Sequence, residues 1–371
     1  MVLARFRDDL EALAARGRLR RLAPRGGVDW ASNDYLALAG SARLRDAAAA
    51  ALARGVPVGS GGSRLLRGNH PEHEALEAEA AAFWGAEAAL FLATGHAANV
   101  AILSALPRSG DLVVHDALIH ASVHDGMRLG RAERAAFAHN DAGAADDAIA
   151  RWRAGGGTGQ VWIAVESLYS MDGDRAPLAD LAVVAGRHDA VLLVDEAHAT
   201  GVFGADGRGL ADGLVRNEQL VSLHTCGKAM GAEGALICGP RAMMDVLVNR
   251  ARPFLFSTAP SPVMAAVREG LRAMADEPER RMALMRLVRA AEARLAPLGV
   301  TATGSPILPL IVGEDAAAMR LAAAIQAAGH DVRGIRPPTV PAGTARLRIS
   351  VTLNVGAADV AALAGVLEAV R

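Results

Sequence analysis

The sequence predicts an α/β protein: a large domain with a mainly parallel sheet, plus a smaller C-terminal α+β domain. Three observations carry this. Short apolar, β-rich runs alternate with longer Ala/Leu/Glu/Arg stretches, most of the runs are unbroken in apolar character, and the texture changes near residue 262. Unbroken apolar strands are those covered on both faces of a parallel sheet. With 371 residues and 52% hydrophobic content, the chain can bury a large core. The expected strands are 88–93, 111–115, Val161–Glu166, Val191–Asp195, 220–224 and Ala235–Gly239, with helices between them, for example over 73–84 and 97–106. Past residue 262, a long Arg/Met/Ala/Leu helix over 261–298, interrupted near Glu277-Pro278, leads to a strand. A helix over 316–328 and a strand over 345–351 follow. The expected division is an N-terminal helix and arm over 1–40, a large domain over 41–262 and a small domain over 263–371.

Composition excludes several classes. A net charge of −1 and 4% aromatic residues do not make a basic, base-stacking surface for nucleic acid. No run of 18 apolar residues escapes interruption by charge or glycine, so no membrane span is expected. The opening MVLARFRDDLEALAARGRLRR carries charges through its apolar positions and reads as an amphipathic helix, not a signal peptide. Cys226 and Cys238 are the only cysteines and form no C-x-x-C, which supports neither a disulfide framework nor a thiolate metal site. The expectation is a reduced, cytoplasmic enzyme. One count stands out: Lys228 is the single lysine among 39 basic residues, all the others being arginine. Arginine supplies charge and hydrogen bonds, but its guanidinium stays protonated and cannot act as an amine nucleophile.

The strand in VLLVDEAHATG ends at Asp195, with His198 three residues beyond. Ligands of open parallel sheets bind at the carboxyl ends of strands, although an Asp or His there is as often a cap or turn residue. The letters D-E-A-H also suggest a nucleotidase, but that reading needs an upstream G-x-x-x-x-G-K-[ST] loop. The only Gly-Lys lies downstream, at Gly227-Lys228, and alanine follows it. Lys228 comes just after the next strand, in HTCGKAMGAEGA, where glycines 227, 231 and 234 permit close approach of backbone. A strand-end aspartate followed, one strand later, by a lysine in a Gly-rich turn suggests a pyridoxal phosphate site. The lysine would form the Schiff base, and the aspartate would keep the pyridine nitrogen protonated. The strand end at Thr94-Gly95-His96 runs straight into a helix, so backbone N–H groups of Gly95 and His96 could cradle a phosphate. In HDALIHASVHDG, His115, His120 and His124 lack the Cys or carboxylate pattern that would fix a metal geometry, so no metal is expected. One imidazole stacked on a cofactor ring is the better use. His70 and His73 read as part of a helix start.

The chain resembles the α-oxoamine synthases, which are fold-type I pyridoxal phosphate enzymes of the aspartate aminotransferase-like kind. The matching stretches include Ser32-Asn33-Asp34-Tyr35-Leu36, GSGGSRLLRGNHPEHEALE, TGHAAN, HDALIHASVHDG, ESLYSMDGDRAPL, VDEAHATGVFGADGRG, TCGKAMGAEGA, FSTAPSP and IRPPTVPAGTARLRIS, in order over residues 32–350. The resemblance implies that Lys228 carries the cofactor, that Asp195 partners the pyridine nitrogen and that His198 bonds the phenolic oxygen. It implies that His120 stacks on the ring and assists in catalysis and substrate binding. Ser170, Thr225, Gly95 and His96 would help hold the cofactor, with Glu166 near its oxygen. Ser257 and Thr258 would reach the phosphate site of a neighbouring subunit, giving a homodimer with shared active sites. Arg348 would clamp the amino acid's carboxylate with help from Asn33, while Arg20 and Thr339 would contact the acyl substrate. His96 departs from the Phe or Tyr common in the family, and Cys226 from Phe or Leu. These departures imply different local packing and a different pocket wall, while the contact at position 96 runs through the backbone and leaves cofactor binding as in the family. The implied reaction is decarboxylative condensation of an amino acid with an acyl thioester of coenzyme A or acyl-carrier protein. IRPPTVPAGTARLR favours the member that joins L-alanine to a pimeloyl group, with the members that use glycine or serine as the alternative.

Overall fold

The computed structural model describes residues 2–22, 24–214 and 217–370. The chain divides into two compact units: one of Leu36–Tyr169 and Arg175–Arg281, the other of Met1–Tyr35, Ser170–Asp174 and Met282–Arg371.

The larger unit is built on a seven-stranded sheet: β1 (Ala88–Leu92), β2 (Leu112–Asp116), β3 (Glu133–Phe137), β4 (Val161–Glu166), β5 (Val191–Asp195), β6 (Leu220–Thr225) and β7 (Ala235–Gly239). Their spatial order is β1-β7-β6-β5-β4-β2-β3. All neighbours are parallel except β7, which runs antiparallel to both β1 and β6. The period of two sends alternate side chains to opposite faces. Leu193, Leu223 and Ile237 pack on one face against Ile102 and Leu103, while Leu192, Val194 and Ile163 pack on the other against Ile149, Leu181 and Ala185. The flanking helices are α1 (Pro71–Trp84), α2 (Gly95–Ala105), α3 (Ala121–Leu129), α4 (Ala142–Ala154), α5 (Leu178–His188) and α6 (Arg241–Arg250). Because both faces are covered, the central strands show no apolar/polar alternation.

Two expectations differ from what is seen. Strand β3, ERAAF, carries two charged residues and lies at the sheet edge with most of its residues exposed, so it has no apolar run to betray it. Strand β7 reads as a parallel strand because it too is buried along its length, yet it closes a hairpin with β6. The turn of that hairpin holds Lys228.

In the smaller unit, β8 (Ile307–Gly313), β9 (Arg333–Ile335) and β10 (Ala345–Ser350) form an antiparallel sheet in the order β9-β10-β8. Most of α7 (Pro278–Leu295) belongs here, with α8 (Asp315–Ala327) and α9 (Ala357–Val370). The helix break near Pro278 falls as expected, since Glu277 leaves helical geometry between Glu269–Asp276 and α7. The N-terminal arm is part of the same unit: Val28–Asp29 pairs in parallel with His330–Asp331, and Trp30 Nε1 donates to His330 Nδ1 at 3.1 Å. Among the described residues no helix is long and apolar enough to cross a membrane.

Candidate active site

Strands β4, β5 and β6 lie side by side, and Glu166 and Asp195 stand opposite one another at the carboxyl ends of β4 and β5. Asp195 is buried. Its Oδ1 accepts the N–H of Ala197 at 3.0 Å and its Oδ2 accepts Asn99 Nδ2 at 2.8 Å, which fixes the plane of the carboxylate. His198, buried in the turn after β5, brings Nε2 to 3.0 Å from Lys228 Nζ. Thr225, last in β6, donates from Oγ1 to the carbonyl of Ala197 at 3.3 Å and so ties this turn to the lysine hairpin. The glycines around Lys228 divide in use. Gly231 and Gly234 have positive φ, and a Cβ there would lie 2.5 Å from Ala39 N and 2.4 Å from the Phe91 ring. They seat the hairpin against the protein, whereas Gly227 borders open space.

A cradle for an anion lies where β6 meets helix α2. Thr94 caps the helix by accepting the N–H of Ala97 at 3.0 Å. The N–H groups of Gly95 and His96 belong to the first turn, which has no intrahelical acceptors. A Cβ at Gly95 would come within 2.7 Å of the Thr225 methyl, so only glycine leaves this corner open. The His96 ring turns outward to Asp125, with Nε2 3.2 Å from Oδ2. His120 caps α3, and its Nδ1 lies 2.7 Å from Ser122 Oγ. Desolvation lowers its pKa, and the Lys228 charge does so further, against the attraction of Asp195. These residues fit pyridoxal phosphate on the structure's own terms: an amine beside an imidazole, a buried carboxylate anchored by two donors, and a helix N-terminus kept clear by glycine.

Ser257 and Thr258 are exposed on this unit, with Ser257 Oγ donating to the carbonyl of Pro253, and the neighbouring Phe256 is 74% exposed. Cys226 is buried and its thiol is pushed up to about 12 by desolvation, so it is an inert small hydrophobe. His115 and His124 meet edge to face at 5.0 Å between centroids. Among the described residues no group of three His, Cys, Asp or Glu could hold a metal.

In the smaller unit, Arg348 is buried in mid-strand. Its Nε donates to the carbonyl of Ser170 at 2.5 Å, Nη1 to Ser350 Oγ at 2.6 Å and Nη2 to Asn33 Oδ1 at 3.0 Å. Asn33 Oδ1 also accepts the Tyr35 hydroxyl at 3.2 Å. Every one of these acceptors is uncharged, so the guanidinium is oriented without being neutralised. Ser170 contributes here through its backbone. Arg20 and Thr339 are exposed; the Thr339 N–H donates to the Arg336 carbonyl at 3.2 Å.

Several residues escaped the sequence reading. Asn99 and Ser122 are buried between His120 and Asp195, and the only signal was their place in TGHAAN and HDALIHASVHDG. Glu196 is wholly buried, accepting Ser167 Oγ at 2.6 Å and the Ala211 N–H at 2.5 Å. Desolvation raises its pKa to about 7. His224 is sandwiched against Trp84, with centroids 3.9 Å apart, and desolvation lowers its pKa to about 3.

The chain matches known proteins along nearly its whole length. The aminotransferase class I and II family matches residues 25–367. The 8-amino-7-oxononanoate synthase of Anaeromyxobacter dehalogenans is 45% identical, covering 97% of this chain and 94% of the relative. That of an Azoarcus species is 42% identical over 99% and 97%. Among solved structures, serine palmitoyltransferase from S. paucimobilis with bound PLP-myriocin aldimine superposes with a TM-score of 0.88 at 26% identity, covering 98% of this chain and 96% of that one. The 8-amino-7-oxononanoate synthase of Francisella tularensis gives 0.79 at 25% identity, over 92% and 97%. The chain belongs to the class I and II aminotransferase family and, within it, to the α-oxoamine synthases.

Proposed function

We propose that the protein condenses L-alanine with a pimeloyl thioester, losing CO₂ and releasing 8-amino-7-oxononanoate, with pyridoxal phosphate as cofactor. The observation that carries the chemistry is the lone lysine amine 3.0 Å from His198, in the hairpin beside the strand that ends at Asp195. When bound, pyridoxal phosphate supplies an aldehyde for an amine and an electron sink for a carbanion at the substrate Cα. Gly95 and His96 hold its phosphate through backbone N–H groups, with Thr225 shaping the corner. Asp195 keeps a proton on the pyridine nitrogen, His198 bonds the phenolic oxygen and Glu166 lies close by. Lys228 would hold the cofactor through its amine and would serve as the base for the Cα proton of alanine. Arg348, held in one plane by Ser170, Ser350 and Asn33, grips the alanine carboxylate with a two-toothed guanidinium. His120 covers the ring and orients substrate, while Arg20 and Thr339 meet the acyl chain. Ser257 and Thr258, exposed in one chain, complete the phosphate site of a second copy, so the active form is a two-fold homodimer.

Serine palmitoyltransferase is the second reading, favoured by its TM-score of 0.88, but its identity of 26% stands against 45% for the synthase relative. The deciding experiment offers alanine with pimeloyl-coenzyme A and, separately, serine with palmitoyl-coenzyme A. We expect product from the first pair only; turnover of the second alone would overturn the proposal. Sedimentation should give a dimer, and an active monomer would refute the shared site.

A further inference from the structure

Asp195 and His120 are joined through two buried side chains that belong to neither role. Asn99 Nδ2 lies 2.8 Å from Asp195 Oδ2 and 2.9 Å from Ser122 Oγ, and Ser122 Oγ lies 2.7 Å from His120 Nδ1. We propose that Asn99 and Ser122 are positioning residues, forming a relay through which the Asp195 carboxylate holds His120 in the neutral tautomer with its proton on Nε2.

The direction of each bond follows from the first. A carboxylate can only accept, so Asn99 must turn its NH₂ group toward Asp195. That same NH₂ has a second hydrogen, and it points to Ser122 Oγ. The serine oxygen, already accepting, gives its own hydrogen to the next acceptor in line, His120 Nδ1. The backbone N–H of Ser122 adds a longer contact to the same nitrogen at 3.3 Å. With Nδ1 accepting, the ring's proton sits on Nε2. Asn99 Oδ1 is buried and has no partner among the described residues. Turning the amide over would let that oxygen accept from Ser122 Oγ, but would set it 2.8 Å from the Asp195 carboxylate oxygen and take the serine hydrogen away from His120. The orphan is therefore the mark of an orientation imposed from both ends, and the roles are assigned by the network and not by any visible hydrogen. For the reaction, the relay means that a ring over the cofactor presents a donor at Nε2 and cannot swap it for an acceptor.

This rests on the reading of Asp195 and His120 as cofactor-site residues, so the test reads ring nitrogens and not turnover. Holoenzyme labelled with ¹⁵N-histidine is examined by long-range ¹H–¹⁵N correlation, and the His120 signals are identified by their loss in His120→Asn. The expected spectrum has a protonated Nε2 and a bare Nδ1. Ser122→Ala and Asn99→Ala should each lower the ratio of Nε2–H to Nδ1–H tautomer by about five- to tenfold, as loss of one neutral hydrogen bond allows. The remaining histidine signals, unmoved, report an intact fold. A protonated Nδ1 or a charged ring in the parent protein would overturn the relay, as would an unchanged ratio in both variants. Turnover of alanine with pimeloyl-coenzyme A is measured separately, so the proposed reaction can fail while the ring shifts stand.

Discussion

In the larger unit the reactive groups ride on turns: Asp195 at a strand end, His198 just past it and Lys228 in the hairpin between β6 and β7. In the smaller unit Arg348 sits in mid-strand, flanked by β9 and β8. Of these, His198 and Lys228 touch, at 3.0 Å. Arg348 instead touches neutral oxygens, one of them from the backbone of Ser170. Groups that must exchange protons need mutual contact and room to move. A group that only grips a carboxylate needs a fixed plane and an unspent charge.

The largest test of this contrast is Lys228→Arg. It keeps the charge and removes the amine, and we expect turnover to fall by at least about 10³-fold, with loss of the visible absorption of the bound cofactor. Retained turnover would show that the turn needs only a cation. Next comes Arg348→Lys, which keeps the charge and removes the fork. Here kcat/KM for alanine should fall about 100-fold, mainly through KM, because the lysine leaves buried acceptors unfilled. An equal loss in kcat alone would mean that Arg348 acts in the chemistry and not in gripping. Smaller still is Gly95→Ala, whose Cβ would press on the Thr225 methyl from 2.7 Å. Equilibrium dialysis should show pyridoxal phosphate bound about tenfold more weakly, while thermal stability changes by about 1 kcal/mol or less. Unchanged affinity would remove this corner from the phosphate site.

The smallest effect concerns stability. Glu196 titrates at about 7 in the folded protein, above the ordinary carboxyl value near 4.5. Its contribution is therefore fully present below about pH 4.5 and is lost as pH rises through 7. His224, lowered to about 3, works the other way: its contribution is present above 6.5 and is lost as pH falls toward 3. Glu196→Gln should flatten the alkaline side of the stability profile in urea denaturation by an amount on the order of 1–3 kcal/mol. An unaltered slope between pH 5 and 8 would show that Glu196 is charged throughout.

The central strands were legible because burial on both faces writes an unbroken apolar run. Strand β3 was not, since an edge needs no such run, and the direction of β7 was hidden because burial does not depend on polarity of the chain. At the site, Lys228 declared itself through composition, and Asp195 through its place at a strand end. Asn99 and Ser122 did not, since hydrogen-bond partners one turn into a helix or at its second residue have no spacing of their own. Nor did Glu196 and His224 declare themselves. A buried acid or imidazole looks in sequence like any surface one, and only its neighbours desolvate it.

A hairpin holding the protein's one side-chain amine also has a use outside catalysis. Reagents that acylate or reductively alkylate lysine have a single internal target, Lys228, half-buried beside His198. Peptide mapping after such labelling would read occupancy of the site directly, with no background from other lysines to subtract.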